Sequence, residues 1–65
     1  MRLKELREEK YITQKEVAAV IHCTKGTYSR YEREEREPGI DILCELADYY
    51  GVTIDYLVGR TDTKA

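Results

Sequence analysis

Tryptophan and phenylalanine are absent from this chain of 65 residues; proline, methionine and histidine occur once each and cysteine twice. Two thiols, Cys23 and Cys44, are too few for the disulfide framework of a small secreted domain. They are also too few for a tetrahedral zinc site unless His22 and a carboxylate join them, and the adjacency of His22 to Cys23 does not match the usual ligand spacing. Neither metal nor cofactor is expected, and both thiols read as reduced, packed side chains of a cytoplasmic protein. No apolar run approaches the roughly 18 residues of a membrane span. Met1-Arg2-Leu3-Lys4-Glu5 carries charge without the apolar stretch of a signal peptide. There is no strand-like alternation and no repeat. The length allows one domain burying roughly 60% of its unfolded surface, and an enclosed active-site cavity would consume most of that core. With no nucleophile–base pair to assemble, catalysis is not expected. Nor does the length leave room for a fused effector domain.

What the chain does have is charge. Eleven Lys and Arg stand against thirteen Asp and Glu, a net −2 that argues at first against a nucleic-acid partner. The charge is segregated, however. Residues 1–36 hold nine basic and seven acidic side chains, and residues 37–65 hold two and six, so a +2 half precedes a −4 half.

The apolar spacing is helical almost throughout. Leu3 and Leu6 share a face with Arg7 in a first helix ending near Tyr11. Thr13-Gln14-Lys15-Glu16 is a capping box, with Ile12 placed as its hydrophobic staple, and Val17, Ala18, Val20 and Ile21 give the stripe of a second helix. A third runs from Thr24 to about Arg33 with Tyr28 and Tyr31 inward. Pro38 disfavours helix at Glu37 in the polar loop that follows. A fourth carries Ile40, Leu43, Leu46, Ala47 and Tyr50 and ends at Gly51. Thr53 caps a short fifth helix through Val58, closed by Gly59. Residues 1–59 are thus one all-α, five-helix domain, and residues 60–65 a polar, frayed tail.

Only Ile21-His22-Cys23-Thr24 separates helices two and three, so the pair must cross steeply as a helix-turn-helix, whose second helix enters a DNA major groove. Gln14-Lys15-Glu16-Val17-Ala18, Thr24 to Glu32, Arg36-Glu37-Pro38 and Leu46 to Gly59 resemble, in this order, the phage-repressor (Cro/C1, XRE) family. The resemblance covers about Leu3 to Gly59. It implies a lambda-repressor-like five-helix bundle that binds a palindromic double-stranded DNA operator as a homodimer, with half-sites roughly 34 Å apart. It also implies that Gln14 contacts phosphate and can brace the recognition helix, and that Arg7 and Glu32 form an internal ion pair. A charge on a core stripe is costly unless paired, which reads the same way.

On the outward side of helix three stand Lys25, Gly26, Thr27, Ser29, Arg30 and Arg33. Lys25 and Arg30 are the expected base readers, since Arg can bond guanine through O6 and N7 and Lys can reach the same edge or a phosphate. Gly26 lets the backbone approach closely, Thr27 and Ser29 suit phosphate or thymine-methyl contact, and Arg33 and Arg36 suit phosphate. A solvated charge run explains Arg33 to Arg36 about as well. Ile54, Tyr56, Leu57 and Val58 are the candidate dimer interface. The tyrosines at 28, 31, 49, 50 and 56 suit packing, Tyr28 being the one to test for DNA contact. Cys23 reads as core and Cys44 as the more reactive thiol.

Three positions depart from the family pattern. His22 and Glu34 stand where glycine is usual, and Gly39 where a serine cap is usual. The expected function is a sequence-specific DNA-binding regulator, a repressor. A protein-interaction module whose helix-turn-helix no longer grips DNA is the alternative that the acidic second half favours.

Overall fold

The computed structural model describes residues 1–63. Among them the chain forms α1 (Leu3–Glu9), α2 (Gln14–Val20), α3 (Lys25–Glu32), α4 (Ile40–Tyr50) and α5 (Ile54–Leu57), with no strand. Threonine starts three of these helices. Thr13, Thr24 and Thr53 each sit in extended backbone and accept from the amide three residues on, at Glu16, Thr27 and Tyr56, satisfying one orphan donor per helix.

All five helices stop in the same way. At the end of each helix one residue turns left-handed, directly after the C-cap in α1, α2, α3 and α5 and at the C-cap Gly51 itself in α4, and two amides reach back to the last turn. Tyr11 and Ile12 bond Glu8 and Arg7, His22 and Cys23 bond Ala19 and Ala18, and Glu34 and Glu35 bond Tyr31 and Arg30. Gly51 and Val52 then bond Asp48 and Ala47, and Gly59 and Arg60 bond Tyr56 and Asp55. Only the last two of these turns use glycine; Tyr11, His22 and Glu34 adopt φ of 56°, 57° and 59°. The left-handed turn at His22 and the end of α3 at Glu34 therefore keep the geometry that glycine would give. Tyr11 carries the same strain and is 95% exposed, so nothing in its packing offsets it. Tyr11→Gly is expected to stabilise the fold by about 0.5–1 kcal/mol after the added unfolded-state entropy is subtracted, as a higher urea midpoint with an unchanged slope.

Leu3, Leu6, Val17, Ala18, Ile21, Tyr28, Tyr31, Leu46, Ala47, Tyr50, Tyr56 and Leu57 form one core. Ile12 packs against its edge, as a staple above Val17 should, and so does Cys23, which is half-buried rather than enclosed. Burial raises the Cys23 thiol pKa, whereas Cys44 is exposed. The α4 stripe keeps its expected face through Leu43, Leu46, Ala47 and Tyr50, but its first position does not reach the core. Ile40 is 63% exposed because the first turn of α4 overhangs the core, and burial is complete only from Leu46 onward.

Two further placements differ from expectation. Tyr56 and Leu57 are 8% and 0% exposed, so they close the bundle and are not available to a second chain. The reason is Arg2. Its amide bonds the Leu57 carbonyl at 2.8 Å, its Nε donates to the Tyr56 carbonyl at 3.0 Å, and its guanidinium lies 4.5 Å from the Tyr56 ring centre. The same side chain donates to the Thr61 carbonyl and to Asp62, at 3.2 and 2.8 Å, so the start of the expected frayed tail is tethered to α1. Residues 64 and 65 of that tail lie outside the described residues.

Candidate nucleic-acid interface

Packing between α2 and α3 is the most extensive contact between helices. Four residues, 21–24, join them, and Val17 and Ala18 of α2, with Ile21 just past its end, bury in the core that holds Tyr28 and Tyr31 of α3. Burial of those two tyrosines fixes the rotation of α3 about its axis. Lys25, Gly26, Arg30 and Arg33 are thereby left exposed and Thr27 and Ser29 half-buried. Tyr28 is 0% exposed, and its hydroxyl meets that of Tyr50 at 3.0 Å. It is a core residue and cannot touch DNA from this position.

The expected contact residues differ in how free they are. Among the described residues no carboxylate lies within ion-pair distance of Lys25, Arg30 or Arg36. Arg33 is engaged: its Nε lies 3.1 Å from Glu35 Oε2, and Nη2 donates to Oε1 at 3.3 Å. Both partners are largely exposed, so the pair is worth little and an incoming phosphate can displace it. Thr24 caps α3 and donates to the Thr27 hydroxyl at 3.0 Å, leaving Thr27 its own proton to give outward. A Cβ built on Gly26 would come no closer than 3.9 Å to the Thr24 hydroxyl, so the protein itself does not require glycine there.

Behind this face lies the ion pair. Arg7 Nε donates to Glu32 Oε2 at 2.7 Å, with side chains 15% and 4% exposed. Arg7 also donates from Nη1 to the Ile12 carbonyl at 3.0 Å, tying the α1–α2 turn to the pair. Gln14 Nε2 donates to Glu32 Oε1 at 3.0 Å. Burial pushes the Glu32 carboxyl pKa up, but hydrogen bonds from Arg7, Gln14 and Tyr28 outweigh it and hold the group below its ordinary value. Arg7 is raised in turn, first by its hydrogen bond to Glu32. The hydroxyls of Tyr28 and Tyr50 continue this network into α4, and burial raises both phenol pKa values.

The structure thus brings Gln14, Arg7 and Glu32 together, and it places Lys25 and Arg30 on one exposed face of α3. Ile54, the first residue of α5, and Val58, its C-cap, stay half-buried. The roles of Arg2 and Tyr50 were not visible in the spacing: Arg2 reads as an ordinary N-terminal charge, and Tyr50 as one more apolar position of α4.

A bundle in which a short, capped helix is braced by its predecessor and shows a basic outer face is a helix-turn-helix domain. The profile of the helix-turn-helix family matches residues 3–57, and the chain belongs to that family, in its Cro/C1 (XRE) branch. It is similar to the HTH-type transcriptional regulator ImmR of Bacillus subtilis, with 41% identity over 63 residues, 97% of this chain and 50% of that protein. The cryptic phage CTXphi transcriptional repressor RstR of Vibrio cholerae is 37% identical over 63 residues, 97% of this chain and 57% of that protein. AnsR of Bacillus subtilis, another HTH-type transcriptional regulator, is 38% identical over 63 residues, 97% of this chain and 54% of that protein. The chain therefore spans about half the length of the curated relatives it matches. No solved structure matches.

Proposed function

We propose that this chain is a sequence-specific DNA-binding transcriptional regulator of the cytoplasm, a repressor, that reads a palindromic operator as a homodimer without a cofactor. The observation that carries the reading is the face of α3, where Lys25 and Arg30 are exposed, unpaired among the described residues and held in register by the buried tyrosines behind them. The transcriptional regulators and the phage repressor among the relatives support it. In this reading Lys25 and Arg30 reach base edges, Gly26 lets the backbone come close, and Thr27, Ser29, Gln14, Arg33 and Arg36 meet phosphates. Anisotropy titration of mixed-sequence duplexes tests it. Weak binding, roughly 10⁻⁴–10⁻⁶ M near physiological salt and falling as salt rises, is expected. No binding even at low salt would overturn it and favour the protein-interaction module, for which the exposed Asp41, Glu45 and Asp48 of α4 speak.

The second copy needs a different surface from the one first expected, since Tyr56 and Leu57 are buried. A shallow cleft of about 290 Å³ lies between Met1, Glu34, Glu37, Pro38, Leu43 and Val58. The exposed Ile40 follows Pro38 by two residues. This lining mixes the apolar Pro38, Leu43 and Val58 with the charged Glu34 and Glu37, and suits a two-fold contact in which the same patch meets itself. The body measures 29 × 24 × 18 Å, so two copies on half-sites about 34 Å apart meet edge to edge and bury little. Ile40→Asp should leave folding unchanged yet abolish cooperative binding to a palindrome, with half-site affinity retained; sedimentation and titration of full and half operators read both.

A further inference from the structure

Glu32 lies where α1, α2 and α3 converge, and it faces Gln14 as well as Arg7. Both carboxylate oxygens are occupied: Oε2 by Arg7 Nε at 2.7 Å, and Oε1 by Gln14 Nε2 at 3.0 Å with Arg7 Nη2 at 3.5 Å. The Glu32 side chain is buried, whereas Gln14 is half-buried at the first position of α2. An ionised carboxylate only accepts hydrogen bonds, so it tolerates one orientation of the neighbouring amide, nitrogen inward. One amide hydrogen is then committed to Glu32 and the other is left free. An unrestrained glutamine would present its oxygen as readily as its nitrogen, and oxygen repels phosphate.

From this geometry we infer that Glu32 is a positioning residue for DNA binding: by holding the Gln14 amide nitrogen-inward, it aims the second N–H of Gln14 at a backbone phosphate. The inference rests on the DNA-binding reading above and adds to it a function for a buried residue that touches no DNA. Arg7 has a supporting part, because it keeps Glu32 ionised and fixes the carboxylate plane from α1. The coupling is short, running through a single hydrogen bond between a buried acceptor and a half-buried donor.

The test uses the full chain and a duplex selected for tight binding, in which single phosphates are replaced one at a time by uncharged methylphosphonates. For the wild type, replacement of the phosphate facing Gln14 should weaken binding about tenfold, the scale of one hydrogen bond to a charged group. Gln14→Ala should bind about tenfold more weakly and become indifferent to that replacement. Glu32→Gln places an amide against two donors, so one of them faces an N–H instead of an acceptor. It should lose the same phosphate sensitivity, and Gln14→Ala/Glu32→Gln should bind no more weakly than either single variant, where independent effects would multiply to about a hundredfold.

Folding is followed in parallel by circular dichroism. If Glu32→Gln is unfolded, Glu32→Asp replaces it, keeping the charge for Arg7 but withdrawing the oxygen from Gln14, with the same result expected. Full phosphate sensitivity in the folded Glu32 variant, or multiplying effects in the double variant, overturns the inference. So does a wild type that binds tightly with no Gln14-dependent phosphate. A wild type for which no duplex can be selected overturns the DNA-binding reading instead.

Discussion

Lys25→Ala and Arg30→Ala should each weaken binding to a cognate duplex by about 1–3 kcal/mol, and together by about 2–6 kcal/mol, without moving the thermal midpoint appreciably. Both side chains are exposed and neither is in an ion pair among the described residues, so their removal leaves no orphaned partner in the fold. The two losses differ in kind. A residue that reads a base relaxes the preference at one position, while a residue on phosphate weakens all sequences alike and lowers the salt slope by about 1. Arg30, with its planar fork, is expected to behave in the first way, and Lys25 in either. Anisotropy titrations at several salt concentrations on cognate and single-mismatch duplexes separate them. The modest charge of the basic half also bears on magnitude: with few phosphates neutralised, the salt slope should be shallow compared with that of strongly basic DNA-binding domains.

Glu32→Ala should lower stability by about 3–5 kcal/mol, the loss that follows when one partner of a buried ion pair is removed. A domain of this length holds only about 3–10 kcal/mol in all, so the variant stands at the edge of unfolding. The loss is large because Arg7, 15% exposed, keeps its charge and loses its acceptor, and Gln14 loses its own. Replacing both Arg7 and Glu32 by apolar residues of similar volume should cost much less than replacing Glu32 alone, since neither charge then remains to be desolvated. Urea unfolding of the single and double variants distinguishes the two.

The same pair sets the acid limb of stability. The Glu32 carboxyl is held below its ordinary 4.5 in the folded chain, so its contribution is complete above pH 4.5 and is lost as pH falls through the lower folded value. Tyr28 and Tyr50 are shifted the other way, upward from 10.0, chiefly by burial. Their contribution is complete below pH 10 and is lost as the pH climbs beyond it. A plateau between these limits is expected, and Glu32→Gln should flatten its acid side alone.

Much of this architecture was legible in the sequence because it rests on local chemistry. Threonine caps at 13 and 53, glycine at 51 and 59, and the i, i+3 apolar pairs each act within a few residues, and the structure keeps them. The Arg7–Glu32 pair was legible through the family resemblance, and the cost of leaving a charge unpaired on an apolar stripe points the same way. What escaped was decided by tertiary packing. Nothing about the type of residue at Tyr11 signals a left-handed backbone, which follows from the need to end α1 there. The apolar face of α5 could serve a second chain or the chain's own core, and only Arg2 folding over Tyr56 decides for the core. Ile40 has the right spacing for the α4 stripe but lies beyond the reach of its neighbours. At the candidate site, the outward positions of α3 followed from periodicity, whereas the bond from Gln14 to Glu32 joins residues 18 positions apart and needed the fold.

The central claim is that the exposed face of α3 reads a DNA sequence. It is tested most directly by incubating the folded chain with a pool of random duplexes and sequencing what it retains over successive rounds. The expected result is enrichment of one motif, repeated in inverted orientation with centres about 10–10.5 base pairs apart, and loss of that enrichment in the Lys25→Ala/Arg30→Ala variant. A retained pool indistinguishable from the starting one, or an enrichment that survives the double substitution, would contradict the claim.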